Sequence, residues 1–248
     1  MPQLKLLEIC IDGIDNALTA ASAGADRLEV NSALCLGGLT PSYMLVKQII
    51  AETSLPLIAM IRPRSGYFTY SAREFLLMQK EAEALLALGV QGIAFGFITD
   101  SGTIDYERVS SMVKLAGDKE TVFHRAFDLL PQPLENSAIL AELGVTRILT
   151  SGCEASAWEG RTVIRELVAK CGKDIEILPA GGIKPSNASL FLYYTQADQL
   201  HSSGSRRISA DYEYSGEISF ITGDLSDAWT SGIDILKLKK LSSLKVKE

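Results

Sequence analysis

Cysteine is scarce and unpatterned in this chain: Cys10, Cys35, Cys153 and Cys171 are its four cysteines, and none forms a CxxC pair. That argues against a zinc knuckle and against a disulfide framework, and Cys171, near the end of a helix-like segment, reads as a small apolar residue. Positive charge is short as well. The 24 Lys and Arg face 30 Asp and Glu, a formal net charge of -6. With no basic run interleaved with aromatics, this balance opposes the counterion release that nucleic-acid binding depends on, and it disfavours an anionic membrane surface. Long uncharged apolar runs are also missing. Lys5, Glu8 and Asp12 interrupt the first apolar stretch, so neither a signal sequence nor a bilayer span is expected, and the expected location is the cytoplasm.

What is present is an ordinary globular balance, 47% hydrophobic and 22% charged, enough to bury a large core. Short β-branched or apolar runs alternate with segments of helical period, the pattern of βα units and a parallel sheet. Eight strand-like runs are expected: Leu6 to Ile11, Arg27 to Val30, Leu57 to Ile61, Gly92 to Gly96, Thr121 to Phe127, Arg147 to Thr150, Ile175 to Leu178 and Gln199 to His201. A helix-like segment fills every link, and Gly24, Gly89, Gly117, Gly144 and Gly172 stand where left-handed C-caps belong. The expected fold is therefore α/β, a single (β/α)8 TIM barrel over residues 1–248, with an open doubly wound sheet as the alternative. Residues 205–248 are read as an irregular last loop, a closing helix within Leu225 to Leu241, and a lysine-rich tail.

Strand residues alternate between lumen and helix layer, so polar residues on apolar strands reveal the inward parity. Leu7, Ile9 and Ile11 point to the helices, which sends Glu8, Cys10 and Asp12 inward; Glu29 and Asn31 follow on the second strand. Met60 and Arg62, then His124, Ala126 and Asp128, then His201 take the same parity, while Arg125 falls on the other and ranks below His124. Barrel interiors are usually Val, Ile and Leu, so Glu8, Glu29, Arg62, His124 and His201 are costly unless they pair. Two outcomes fit: an Arg62 ion-pair network with both glutamates that fixes the barrel register, or a site in which Glu8, Glu29, Arg62, His124, Asp128 and His201 perform acid/base work on an anionic substrate.

The small-residue loops Pro179-Ala-Gly-Gly-Ile183 and His201-Ser-Ser-Gly-Ser205 follow strands seven and eight, where barrels commonly bind phosphate. Gly181, Gly182 and Gly204 are candidate backbone donors to an anion, as are Thr150, Ser151 and Gly152 after strand six; tight turns alone would also account for glycine there. For metals, Cys10, Met60 and Cys153 offer the soft ligands that Cu(I) prefers, with His124 or His201 nearby, although Cys10 and Met60, each taken alone, are by base rate more often core fillers.

Several blocks then coincide: Leu7-Glu-Ile-Cys10, Gly24-Ala-Asp-Arg-Leu-Glu29, Gly37-Gly-Leu-Thr-Pro-Ser42, Met60-Ile-Arg-Pro-Arg64, Phe123-His-Arg-Ala-Phe-Asp128 and Arg147-Ile-Leu-Thr-Ser-Gly152. In this order they resemble the CutC family, from about residue 6 to His201. The resemblance implies a cytoplasmic barrel associated with copper homeostasis, oligomeric and expected as a homodimer, with Cu(I) held by Cys10 and Cys153. The other reading is a barrel enzyme acting on a small phosphate- or carboxylate-bearing molecule. The family commonly has a cysteine where this chain has Asn31, and Ala180 replaces a family glycine; Ser65 and Tyr67 also depart from its pattern.

Overall fold

The structure, a computed structural model, describes residues 4–209 and 229–245. Strands β1 (Leu6–Ile11), β2 (Arg27–Val30), β3 (Leu57–Met60), β4 (Gly92–Phe95), β5 (Glu120–Phe123), β6 (Arg147–Thr150), β7 (Glu176–Pro179) and β8 (Gln199–Ser202) form one sheet in the order β7-β6-β5-β4-β3-β2-β1-β8. The paired neighbours are all parallel. β8 packs beside β7 and brings the sheet round into a nearly closed barrel. Helices α1 (Ile14–Ser22), α2 (Tyr43–Glu52), α3 (Ala72–Ala87), α4 (Tyr106–Ala116), α5 (Pro133–Glu142), α6 (Arg161–Cys171) and α7 (Pro185–Thr195) fill the links. The expected (β/α)8 barrel is what forms.

Local signals set the helix starts: Ser71 and Glu74 make a reciprocal capping box on α3, and Pro133 opens α5, where its missing N–H costs nothing. Four of the five expected C-cap glycines have positive φ; Gly172, at φ -64, stays right-handed, so α6 ends without a left-handed turn.

Strand parity sorts the core into two layers. Leu7, Ile9, Ile11, Leu28 and Val30 are fully buried against the helices. Ile58, Met60, Ala94, Val122, Leu149, Leu178 and Ala180 form a separate apolar cluster inside the barrel. That cluster draws on β3 to β6 and on β7 with the residue after it, so the inward positions of β1, β2 and β8 are left to polar side chains.

Two expectations need correction. β5 stops at Phe123 rather than Phe127, because His124 Nδ1 accepts the Ala126 N–H at 3.1 Å and the chain turns into a 3-10 helix over Arg125–Leu129. Alternation therefore ends at His124, and Ala126 packs in the outer core instead of facing the lumen. At the other end, Ser205–Ser209 and Trp229–Ile233 are strands, β9 and β10, paired antiparallel, where an irregular loop and part of a helix were expected. The closing helix α8 is Ile235–Ser242. Its N-cap Asp234 accepts from Leu236 and Lys237. The rest of the expected 205–248 segment, residues 210–228 and 246–248, lies outside the described residues.

Candidate functional site

The polar side of the barrel starts at Glu8. One carboxylate oxygen takes the Arg27 Nε–H at 2.5 Å and the other the His201 Nδ1–H at 2.7 Å, all three residues being buried. Burial alone would raise the Glu8 pKa, but the His201 hydrogen bond and Arg27 outweigh it and bring it down to about 2. Arg27 is within 3.8 Å of Glu120, and Arg147 continues the layer to Glu120 at 2.7 Å and Glu176 at 2.6 Å. Paired this way, the arginines and glutamates satisfy the charges that an apolar barrel would leave exposed to a low dielectric.

Arg62 is not part of this network. Its Nη1 donates to the carbonyls of Leu36 and Gly38, each at 3.0 Å, and its Nη2 to Gly66 at 3.2 Å, so it ties together the loops after β2 and β3. The expected convergence of Glu8, Glu29 and Arg62 is replaced by Glu8 with Arg27. Arg27 shares the inward parity of Glu29, and the alternation that singled out Glu29 would have found it.

Above Glu8 stand Cys10, Glu29 and His201, whose potential ligand atoms all lie within 4.8 Å of one another. His201 Nε2 is 4.0 Å from Glu29 Oε2, which also accepts from Asn31 Nδ2 at 2.9 Å. Burial pushes the Glu29 carboxyl up, against the pull of His201. For His201 burial works the other way, yet Cys10 and the two glutamates hold its pKa well above the ordinary value. All three residues line a cavity of about 1070 Å³ at the C-terminal ends of the strands.

His124 and Arg125 line the same cavity. His124 is buried, its Nδ1 is spent on Ala126, and its Nε2 has no partner; burial and the Arg62 charge lower its pKa to about 3, so it is a neutral ring with the proton on Nε2. Arg125, ranked low from parity, reaches the mouth because the strand has already ended. Its Nε donates to Asp128 at 2.8 Å and its Nη2 to Ser151 Oγ at 2.7 Å.

Asp128 does not face the lumen. It accepts from Thr150 Oγ1 at 2.5 Å, the Ser151 N–H at 3.0 Å and the Cys153 N–H at 3.2 Å. Gly152 N–H donates to Thr150 Oγ1 at 2.8 Å. The donors of Thr150, Ser151 and Gly152 are thus used within the chain to shape the turn after β6. Cys153 sits in that turn, outside the cavity lining, where burial, then Asp128 and Glu154, push its thiol up to about 11.

The CutC family pattern matches residues 5–206, the whole eight-stranded sheet. The chain belongs to the CutC family. A CutC family protein of Treponema denticola is 43% identical over 84% of this chain and 84% of its own length. The human copper homeostasis protein cutC homolog is 37% identical over 80% of this chain and 72% of its own. A solved structure described as CutC from Streptococcus agalactiae superposes with a TM-score of 0.76 at 29% identity, covering 81% of this chain and 99% of that one. Phosphoribosylanthranilate isomerase from Thermotoga maritima, at 12% identity and a TM-score of 0.56, shares the fold alone, covering 97% of this chain and 98% of its own.

Against the CutC blocks, Asn31 takes on particular meaning. It is fully buried and lines the cavity beside Glu29, and its Oδ1 has no partner. A Cβ on Gly38 would lie 2.3 Å from that oxygen, so the glycine is what admits the amide. No helix among the described residues is long and apolar enough to cross a membrane.

Proposed function

We propose that this CutC chain binds Cu(I) as cargo at the cavity floor, with Cys10 supplying a thiolate, His201 a ring nitrogen, and Glu29 a nearby carboxylate. The observation that supports this reading is the convergence of the three donor groups within 4.8 Å. Glu8 holds the opposite ring nitrogen of His201 at 2.7 Å, the arrangement by which outer carboxylates orient metal-binding imidazoles. Thiolate and imidazole suit Cu(I), and Met60 adds a thioether to the same cavity. The name of the human relative points to the same cargo. Cys153 has no part in this reading, since its thiol is held protonated away from the cavity. The cytoplasm, where thiols stay reduced, and a homodimer complete the proposal.

An acid/base enzyme acting on a small anion is the second reading, favoured by the unpartnered Nε2–H of His124 in the same cavity. X-ray absorption at the copper edge of anaerobically loaded protein separates the two. One sulfur and at least one imidazole nitrogen on copper is the expected shell; a shell of oxygen and nitrogen alone would refute Cys10 as a ligand.

A further inference from the structure

The loop after β7 is satisfied on one side only. Gly181 O accepts the Ala157 N–H at 2.9 Å, Gly182 O accepts Asn187 Nδ2 at 2.9 Å, and Ile183 O accepts Ser202 Oγ at 3.1 Å. By contrast the N–H groups of Gly181, Gly182 and Ile183 find no acceptor among the described residues, and neither does that of Ser203 on the loop after β8. Ile183 is a buried residue, and a backbone donor there without an acceptor in the protein is one that a ligand in the cavity can satisfy. All four residues line the cavity. Gly204, the third glycine expected to donate, instead gives its N–H to Ser202 Oγ at 3.3 Å, and a Cβ there would meet Leu238 at 2.5 Å.

Charge at the cavity agrees with this row of donors. Arg62, Arg125, Lys184, Lys237 and Lys240 line it against only two carboxylates, Asp12 and Glu29, in a chain whose net charge is -6. Arg125 stands at the loop itself: a Cβ built on Gly181 would lie 3.6 Å from its Nη1, and Gly181 at φ +93 and Gly182 at φ +74 adopt backbone that favours glycine. Backbone donors, a guanidinium and lysines converge on an anionic oxygen cluster, not on a soft cation.

We infer that the loops after β7 and β8 form a second site in this cavity, which binds the phosphoryl group of a small phosphorylated organic molecule through the N–H groups of Gly181, Gly182, Ile183 and Ser203, with Arg125 and Lys184 as counter-charges. The organic part lies in the remaining cavity, where Met60, Phe68 and Leu149 give it apolar walls. This site is separate from the sulfur and imidazole cluster on β1 and β8.

Backbone amide NMR on metal-free protein tests the inference without involving copper, so failure here leaves the copper reading untouched. Glycerol 3-phosphate is expected to shift the amides of Gly181, Gly182, Ile183 and Ser203, more tightly than inorganic phosphate does, while acetate at equal concentration does not. Arg125→Gln should weaken binding about tenfold, and Lys184→Gln, an exposed change that leaves the fold alone, about threefold. Unmoved loop amides, acetate matching phosphate, inorganic phosphate outcompeting the ester, or affinity unchanged in Lys184→Gln would each overturn it.

Discussion

Arg27 on β2 and Arg62, two residues past the end of β3, share the parity expected to face inward, yet their environments differ completely. Arg27 neutralises Glu8 inside the barrel, whereas Arg62 is spent on three backbone carbonyls of the loops above it. His124 is the sharpest case of a side chain defined by its surroundings. In the folded chain it stays neutral down to about pH 3, against 6.5 ordinarily. The unfolded chain therefore binds this proton first as pH falls, so the stability linked to His124 is complete above pH 6.5 and drains away toward pH 3. Urea unfolding of wild type and His124→Gln across this window should show wild type losing ground by about 1.4 kcal/mol per pH unit. A gap between the two that does not change with pH would mean the ring titrates alike in both states. Inward residues were legible from alternation alone, because the period of two leaves Glu8, Cys10 and Glu29 no other face. Which cation pairs with which glutamate was not legible, since that depends on register: Cys10 lies opposite Glu29, and Glu8 opposite both Arg27 and His201.

Elements were legible where period and punctuation agreed, and misread where a side chain interrupts the backbone ladder. The Phe123-His-Arg-Ala-Phe-Asp128 block alternates well enough to pass for a strand. The bond from the Ala126 N–H to His124 Nδ1 diverts it into a 3-10 turn, which swings Arg125 to the cavity and Asp128 to the turn after β6. Asp128 then acts as the acceptor for that turn, and Asp128→Asn should show it: the amide replaces an acceptor oxygen with a donor facing N–H groups. A loss of about 2 kcal/mol is expected, with faster amide hydrogen exchange at Ser151 and Cys153 and unchanged exchange in β1 to β4. Exchange accelerated uniformly through the barrel would contradict a local role. The antiparallel pair of β9 and β10 was not legible because its sequence flanks a polar stretch with no clear alternation.

At the scale of the molecule, the barrel divides its interior. Strands β3 to β7 supply an apolar packing cluster, β1, β2 and β8 supply the sulfur, carboxylate and imidazole of the candidate site, and a charged layer runs from Glu8 and Arg27 through Glu120 and Arg147 to Glu176. The loops above β7 and β8 add backbone donors, and Lys184 with Lys237 and Lys240 of α8 adds positive charge at the rim. The Cu(I) site proposed above lies on the polar floor of this divided barrel. Asn31, where the family resemblance leads one to expect a cysteine, offers no thiolate, so the proposed site should hold Cu(I) less tightly than a two-cysteine floor would. Competition with a Cu(I) chelator under reducing, anaerobic conditions measures this most directly. The account predicts one weakly held Cu(I) per chain, lost in Cys10→Ser and strengthened in Asn31→Cys; Cu(I) affinity that is the same in wild type and Cys10→Ser would contradict it.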